Sequence, residues 1–260
     1  MTFADHFSKQ AGAYTQFRPR YPRALFAFLA TLPAQRESAW DCGTGNGQAA
    51  VDLAEHFARV LATDPSSNQI AHAQPHPRVE YLVARAEACP LADQSVDLIT
   101  VAQALHWFDR PAFYREVRRV GSAGSVLAAW SYGLAAITAE IDRVVWRLYE
   151  EILGEYWPPE RRLIELRYTT LDFPFVRIDV PEFSMTVDWQ LADLLGYLTT
   201  WSSLERYQQQ RGENPLALVE RDLTAAWGDP ATVRTVRWPL FLLVGQIAAG
   251  TAWRSADYAG

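Results

Sequence analysis

The stretch Trp40-Asp41-Cys42-Gly43-Thr44-Gly45-Asn46-Gly47-Gln48 constrains this chain more than any other. It reads as a strand end that passes through glycines at alternate positions into a helix. Glycine at that spacing lets a backbone bend tightly and lie close to a ligand. Two ligand classes suit such a turn, and the spacing separates them. A dinucleotide turn wants Gly-x-Gly-x-x-Gly, with a pyrophosphate at the second glycine and the helix start. Here the third glycine arrives one residue early, and Gln48 stands at the expected position. Asp41, at the strand end, would repel a phosphate but can accept hydrogen bonds from an ammonium group. A cationic, phosphate-free ligand fits better.

Asp41 to Gly47 resembles motif I of the class I S-adenosylmethionine-dependent methyltransferases. Further matches follow in order: Asp64 after an apolar run, Ala86-Glu87 after the next, and Gln103-Ala104-Leu105-His106-Trp107-Phe108 after the fourth. An N-terminal segment from Tyr14 through Arg18-Pro19-Arg20-Tyr21-Pro22 matches as well. The pattern is similar to that of small-molecule methyltransferases, including the trans-aconitate and farnesoic acid carboxyl methyltransferases. It covers the first half of the chain well and the second half thinly. The resemblance implies an α/β fold: a Rossmann-like, mostly parallel seven-stranded sheet with helices on both faces, an antiparallel strand near the C-terminus, and a helical cap lobe. It also implies S-adenosyl-L-methionine as the cofactor. Asp41, Gly43, Thr44 and Gly45 would hold the methionine end, Asp64 the ribose with Pro65 beside it, Ala86 and Glu87 the adenine, and Gln103 the region near the sulfur. Tyr14 and Arg18 would lie in a flap over the cofactor.

Read from the residues alone, several of these positions keep two explanations. Asp64 can take both ribose hydroxyls or cap the helix after Pro65. His106 has an ordinary pKa near 6.5 and can serve as a general base, or it can be a core histidine orienting Trp107. Methyl transfer to a carboxylate needs no base, whereas a phenol, amine or carbon acceptor can need one. His106 and Trp107 are the candidate catalytic pair on position. His72 and His76 are four apart, but Pro75 and Pro77 break the helix that metal ligands at that spacing require. A surface loop is the reading there, and no metal site is expected.

The 260 residues allow one large α/β domain or a domain with an added lobe. The boundaries expected are an N-terminal cap over residues 1–35, a cofactor-binding core over 36–131, a mainly helical substrate-side lobe over 132–230, and C-terminal strands over 231–260. The last are two strand halves around Pro239 that pair with each other. A strong amphipathic helix is expected over Ile141–Tyr156, and an exposed basic helix end at Arg115, Arg118 and Arg119. Eight of the ten tryptophans follow residue 129, where large rings can pack a second lobe or line an acceptor pocket.

Composition excludes more than it assigns. A net charge of −6 argues against a nucleic-acid partner, which needs a basic stripe. No apolar run approaches the roughly 20 residues of a bilayer span, and the first residues lack a signal-peptide layout. A cytoplasmic protein acting on a small-molecule acceptor is expected, with no membrane partner. Cys42 and Cys89 read as buried thiols. The rivals are an NAD(P)-dependent oxidoreductase, disfavoured by the glycine spacing, and a non-catalytic cofactor-binding module that recognises a protein partner.

Overall fold

A computed structural model describes residues 19–247. Tyr14 and Arg18, expected in a flap, lie outside the described residues, as does the chain after residue 247.

The chain divides into two compact units. One unit comprises Arg23–Trp130, Leu171–Pro181 and the described chain from Leu242. It begins with helix α1 (Arg23–Leu29) and alternates strand and helix thereafter: β1 (Ser38–Cys42), α2 (Gln48–Leu53), β2 (Arg59–Asp64), α3 (Ser67–Ala71) and β3 (Val79–Val83). Next come β4 (Val96–Ala102), α4 (Arg110–Val120) and β5 (Gly121–Tyr132), whose last two residues pass into the other unit. β1 is buried along its whole length, and β2 and β4 along all but one residue each, as expected for strands covered on both faces. Trp40, Phe57, Leu98, Phe113 and Trp130 are among the large side chains sealed inside. The Trp40 indole finds its one partner in Thr63, donating to Oγ1 at 2.9 Å.

β1 to β5 run parallel in the order β3-β2-β1-β4-β5. The order reverses direction between β1 and β4, so their C-terminal loops diverge and open a crevice at that edge. β8 (Arg234–Gln246) follows β5 in the sheet and pairs antiparallel with two successive segments, β7 (Phe183–Trp189) and β6 (Val176–Arg177). Counting β6 and β7 separately gives eight strands. The break between them contains Pro181, which has no N–H to give a ladder.

The other unit comprises Ser131–Thr170 and Glu182–Phe241, with the described chain up to Pro22. It is mainly helical: α5 (Ala139–Trp146), α6 (Arg161–Glu165), α7 (Leu191–Thr199), α8 (Ser202–Arg211) and α9 (Glu220–Trp227). Leu194, Leu198, Leu223, Trp227 and Trp238 are buried in it.

Several expectations are corrected. The amphipathic pattern over 141–156 does not make one α-helix: after Trp146 the chain widens into a π-helical segment, Arg147–Ile152, and then a 3₁₀ turn, Gly154–Tyr156. Ile141, Val145, Leu148, Tyr149 and Leu153 are buried through the change, so apolar spacing alone does not mark it. Pro239 does not divide a strand pair. β8 is continuous through it, with Trp238 opposite Met185, Pro239 opposite Ser184 and Leu240 opposite Phe183, so the partner of these residues is β7. Gly121–Gly124, despite its two glycines, is part of β5, and the register against β4 shifts between Val96 and Leu98.

The basic end of α4 is not a solvated face throughout. Arg119 donates through Nε and Nη2 to both Glu116 oxygens, through Nη1 to Asp93 and to the Leu91 carbonyl, and through Nη2 to the Cys89 carbonyl. The Arg119 guanidinium beside Glu116 holds that carboxyl below its ordinary range. Arg118 lies over the Phe175 ring, 5.0 Å from its centroid. Arg119 is thus the clasp of the loop that carries Cys89.

Candidate active site

The glycine loop leaves β1 and is held from below. Gly43 and Thr44 both donate their backbone N–H to the Thr63 carbonyl of β2, at 2.8 and 2.9 Å. Gly43, Gly45 and Gly47 all have positive φ, a conformation that L side chains rarely adopt. Their surroundings differ. A Cβ on Gly43 would meet the Ala104 Cβ at 2.7 Å, and one on Gly47 would meet the Tyr81 hydroxyl at 2.2 Å, so these glycines let the loop close on the protein itself. A Cβ on Gly45 would meet only the Gln69 side chain, at 3.9 Å. The open side of the loop is therefore at Gly45.

Two carboxylates set the loop's shape. Asp41 is fully buried; its two oxygens accept from the hydroxyls of Thr44 at 2.6 Å and Thr100 at 2.7 Å. Burial pushes its carboxyl up to about 6, the two threonine bonds oppose that shift, and nearby Asp64 adds to it. Asp64, at the end of β2, accepts from the Gly45 N–H through one oxygen and from the Ser66 N–H through the other, both at 2.9 Å. Ser66, not Asp64, caps α3: its side chain accepts from the Gln69 N–H.

The other positions gather at the same strand ends. Arg85–Ala88 forms a tight turn after β3. Glu87 accepts from the Arg85 side chain and from the Asp109 backbone N–H, both at 3.1 Å, and so joins the loop after β3 to the start of α4. Gln103, just beyond β4, has φ 56, a strained value for a non-glycine residue, and its N–H is fixed on the Trp130 carbonyl at 2.9 Å. His106 lies in the short 3₁₀ turn Leu105–Trp107, 5% exposed, its ring 4.8 Å from that of Trp107.

Against known proteins, residues 40–129 match the model of the methyltransferase domain family. A methyltransferase of Dictyostelium discoideum is 34% identical over 252 residues, covering 94% of this chain and 95% of that one. The chain belongs to the class I S-adenosylmethionine-dependent methyltransferases. A solved structure described as a type II methyltransferase, from Anaeromyxobacter dehalogenans, is 46% identical, with a TM-score of 0.85 over 90% of this chain and 100% of that one. The malonyl-[acyl-carrier protein] O-methyltransferase of Enterobacter lignolyticus is 31% identical over 151 residues, 57% of this chain and 59% of that one.

The methyltransferase's cofactor is S-adenosylmethionine, and the loop suits it. Of its three glycines, only Gly45 faces open space, and a carboxylate, Asp64, stands at the neighbouring strand end. Asp41, expected at the methionine end, is bonded through its two oxygens to Thr44 and Thr100 inside the protein. Thr100, which the motif does not mark, belongs to the loop's support from 59 residues away. Its hydroxyl on an interior strand position, where an apolar side chain would serve, was the available signal. The two cysteines are both buried, and burial pushes each thiol up, Cys42 well above its ordinary value and Cys89 to about 11. His72 and His76 go separate ways, the first to the Asn68 carbonyl and the second toward Glu55. Among the described residues, no helix is long and apolar enough to cross a membrane.

The buried Asp41 makes stability depend on pH in a stated direction. With its folded value at about 6 and an unfolded value near 3.9, the native state keeps its proton to higher pH than the unfolded chain does. The folded state therefore loses stability as pH rises from about 4 to about 6, by about 3 kcal/mol. Urea unfolding should show this fall in the wild-type protein relative to Asp41→Asn, with no further divergence above about pH 7. Parallel pH dependences for the two proteins would contradict it.

Proposed function

We propose that this methyltransferase transfers the methyl group to a small molecule, at a carboxylate oxygen. The observation that carries this reading is the state of His106. The imidazole at the β4 edge is buried and packed on Trp107, an arrangement suited to aligning groups more than to exchanging protons with solvent. A carboxylate is the acceptor that asks least of it, being ionised already at neutral pH. The relative from Enterobacter lignolyticus, named for O-methylation of a malonyl group, lends the same support by likeness.

Bound S-adenosylmethionine supplies a methyl carbon already activated by the sulfonium, so that an acceptor oxygen can bond to it in line while the C–S electron pair leaves with S-adenosylhomocysteine. What remains for the protein is positioning and the exclusion of water. In this reading, Gly43, Thr44 and Gly45 present the loop backbone to the methionine end, shaped by Asp41. Asp64, with Pro65 beside it, takes the ribose hydroxyls, and Ala86 and Glu87 border the adenine. Gln103 is held near the sulfur by its fixed backbone, and His106 and Trp107 align the acceptor. Tyr14 and Arg18 complete the proposed cofactor set. We assign choice of acceptor to the mainly helical unit of Ser131–Thr170 and Glu182–Phe241, which is dense in aromatic rings.

Asp64→Ala should raise the dissociation constant of S-adenosylmethionine at least about tenfold, or about 1.4 kcal/mol, as read by calorimetry on folded protein. An unchanged constant would remove Asp64 from the cofactor site. With radiolabelled methyl donor and a panel of small carboxylic acids, amines and phenols, the label should appear in base-labile esters of the acids. Label confined to amines or phenols would replace the carboxylate with another acceptor atom.

A further inference from the structure

Most backbone groups of the glycine loop are spent inside the protein. Gly43 and Thr44 donate to the Thr63 carbonyl, Gly45 donates to Asp64, and Gly47 donates to the Thr44 carbonyl at 3.0 Å, which closes the turn Thr44–Gly47. The Asn46 carbonyl accepts from the Gln74 N–H, also at 3.0 Å. One peptide unit is left over. Among the described residues, neither the Gly45 carbonyl nor the Asn46 N–H has a hydrogen-bond partner. This unit begins at Gly45, the open side of the loop, where an added Cβ would find only the Gln69 side chain at 3.9 Å. The next peptide, Asn46–Gly47, is the opposite case, with its carbonyl and its N–H both bonded. Peptide units are planar and these two share the Asn46 Cα, so the fixed unit sets the direction of the unspent one.

What holds the fixed unit comes from the edge of the sheet. Tyr81, opposite Ala62 in β3, lays its ring against Gly47: a Cβ there would overlap the Tyr81 hydroxyl and meet two ring carbons at 2.8 Å. The same hydroxyl donates to the Gln74 carbonyl at 2.7 Å. Gln74 is thus held by Tyr81 through its carbonyl and holds Asn46 through its N–H. It belongs to no helix or strand, lying in the segment between α3 and β3 with Pro75 beside it, so no regular ladder fixes its backbone. Burial, and then the charge of Asp41, push the Tyr81 phenol up to about 12, which keeps it a neutral donor. The ring stops the loop from below, and the hydroxyl ties it from the side.

We propose that Tyr81 is a positioning residue of the cofactor site: its ring against Gly47 and its hydroxyl on Gln74 hold the Asn46–Gly47 peptide, and so aim the unspent Gly45–Asn46 peptide at bound S-adenosylmethionine. Tyr81 acts through the loop and not on the reacting atoms. Its two contributions separate by substitution, since phenylalanine keeps the ring and loses the tie, whereas leucine loses both. The proposal rests on the glycine loop being the seat of the cofactor.

The test is calorimetric titration of the full-length protein with S-adenosylhomocysteine, paired with amide hydrogen exchange followed residue by residue. Tyr81→Phe should weaken binding about fivefold, the scale of one hydrogen bond, and Tyr81→Leu should weaken it further. In Tyr81→Phe, exchange should quicken at Gln74 and Gly47, whose N–H groups make the tie and close the turn, and should keep its wild-type rates in the central strands β1 and β4. Gly45→Ala, which sets a methyl group on the open side, tests the seat of the cofactor by itself and should also weaken binding. Unchanged binding in both Tyr81 variants beside weakened binding in Gly45→Ala overturns the proposal. Weakened binding with exchange quickened throughout β1 and β4 overturns it as well, because Tyr81 would then support the core and not the loop in particular. Unchanged binding in Gly45→Ala would instead remove the loop from the cofactor site, and the proposal with it.

Discussion

The site depends on a charge taken out of water. Asp41 is buried at the end of β1, and a carboxylate in that position is costly unless its oxygens are met by donors. Thr44 from the loop and Thr100 from β4 meet them. Because one donor lies on the loop and the other on the neighbouring strand, the same two bonds that make the charge tolerable also fix the loop's height above the sheet. Asp64 then fixes its direction, drawing the Gly45 N–H toward β2. The open face at Gly45 is the result of these constraints.

The parallel half of the fold was legible because its strands are short buried runs separated by helical segments, and the sequence shows both. β2, the apolar run that ends at Asp64, is one of them. The motif glycines were legible as a loop but not as three different requirements. Gly43 is small because of Ala104 and Gly47 because of Tyr81, contacts that span long stretches of chain and leave no local pattern. Thr100 was hidden for the same reason. Helix α8 escaped notice because its sequence, Ser202–Arg211, is nearly all polar, with only Ser203 and Leu204 buried. The π-helical segment escaped because it preserves the burial pattern of an ordinary helix while changing the hydrogen bonds beneath it.

Charge is distributed with the same economy. Residues that look alike in sequence, such as Arg118, Arg119 and Arg161, are separated only by what surrounds them. Arg119 closes a loop through Glu116 and three further acceptors, Arg118 lies on Phe175, and Arg161 is stacked and tethered with its terminal nitrogens unspent. The aromatic density of the helical unit likewise divides in two. Trp189, Tyr197 and Trp238 pack on one another at 5.1–5.4 Å, while Tyr149 and Trp157 carry a cation. The first set builds core, and the second stacks under a guanidinium.

The central claim is that the loop after β1 is made for a sulfonium cofactor and not for a dinucleotide. Isothermal titration of the purified protein with S-adenosylmethionine, S-adenosylhomocysteine, NAD and NADP tests it directly. Both sulfur ligands should bind saturably, and neither nicotinamide should give a heat of binding. Binding of NAD or NADP, with silence from the sulfur ligands, would contradict it and would require the open face at Gly45 to be reread as a pyrophosphate turn.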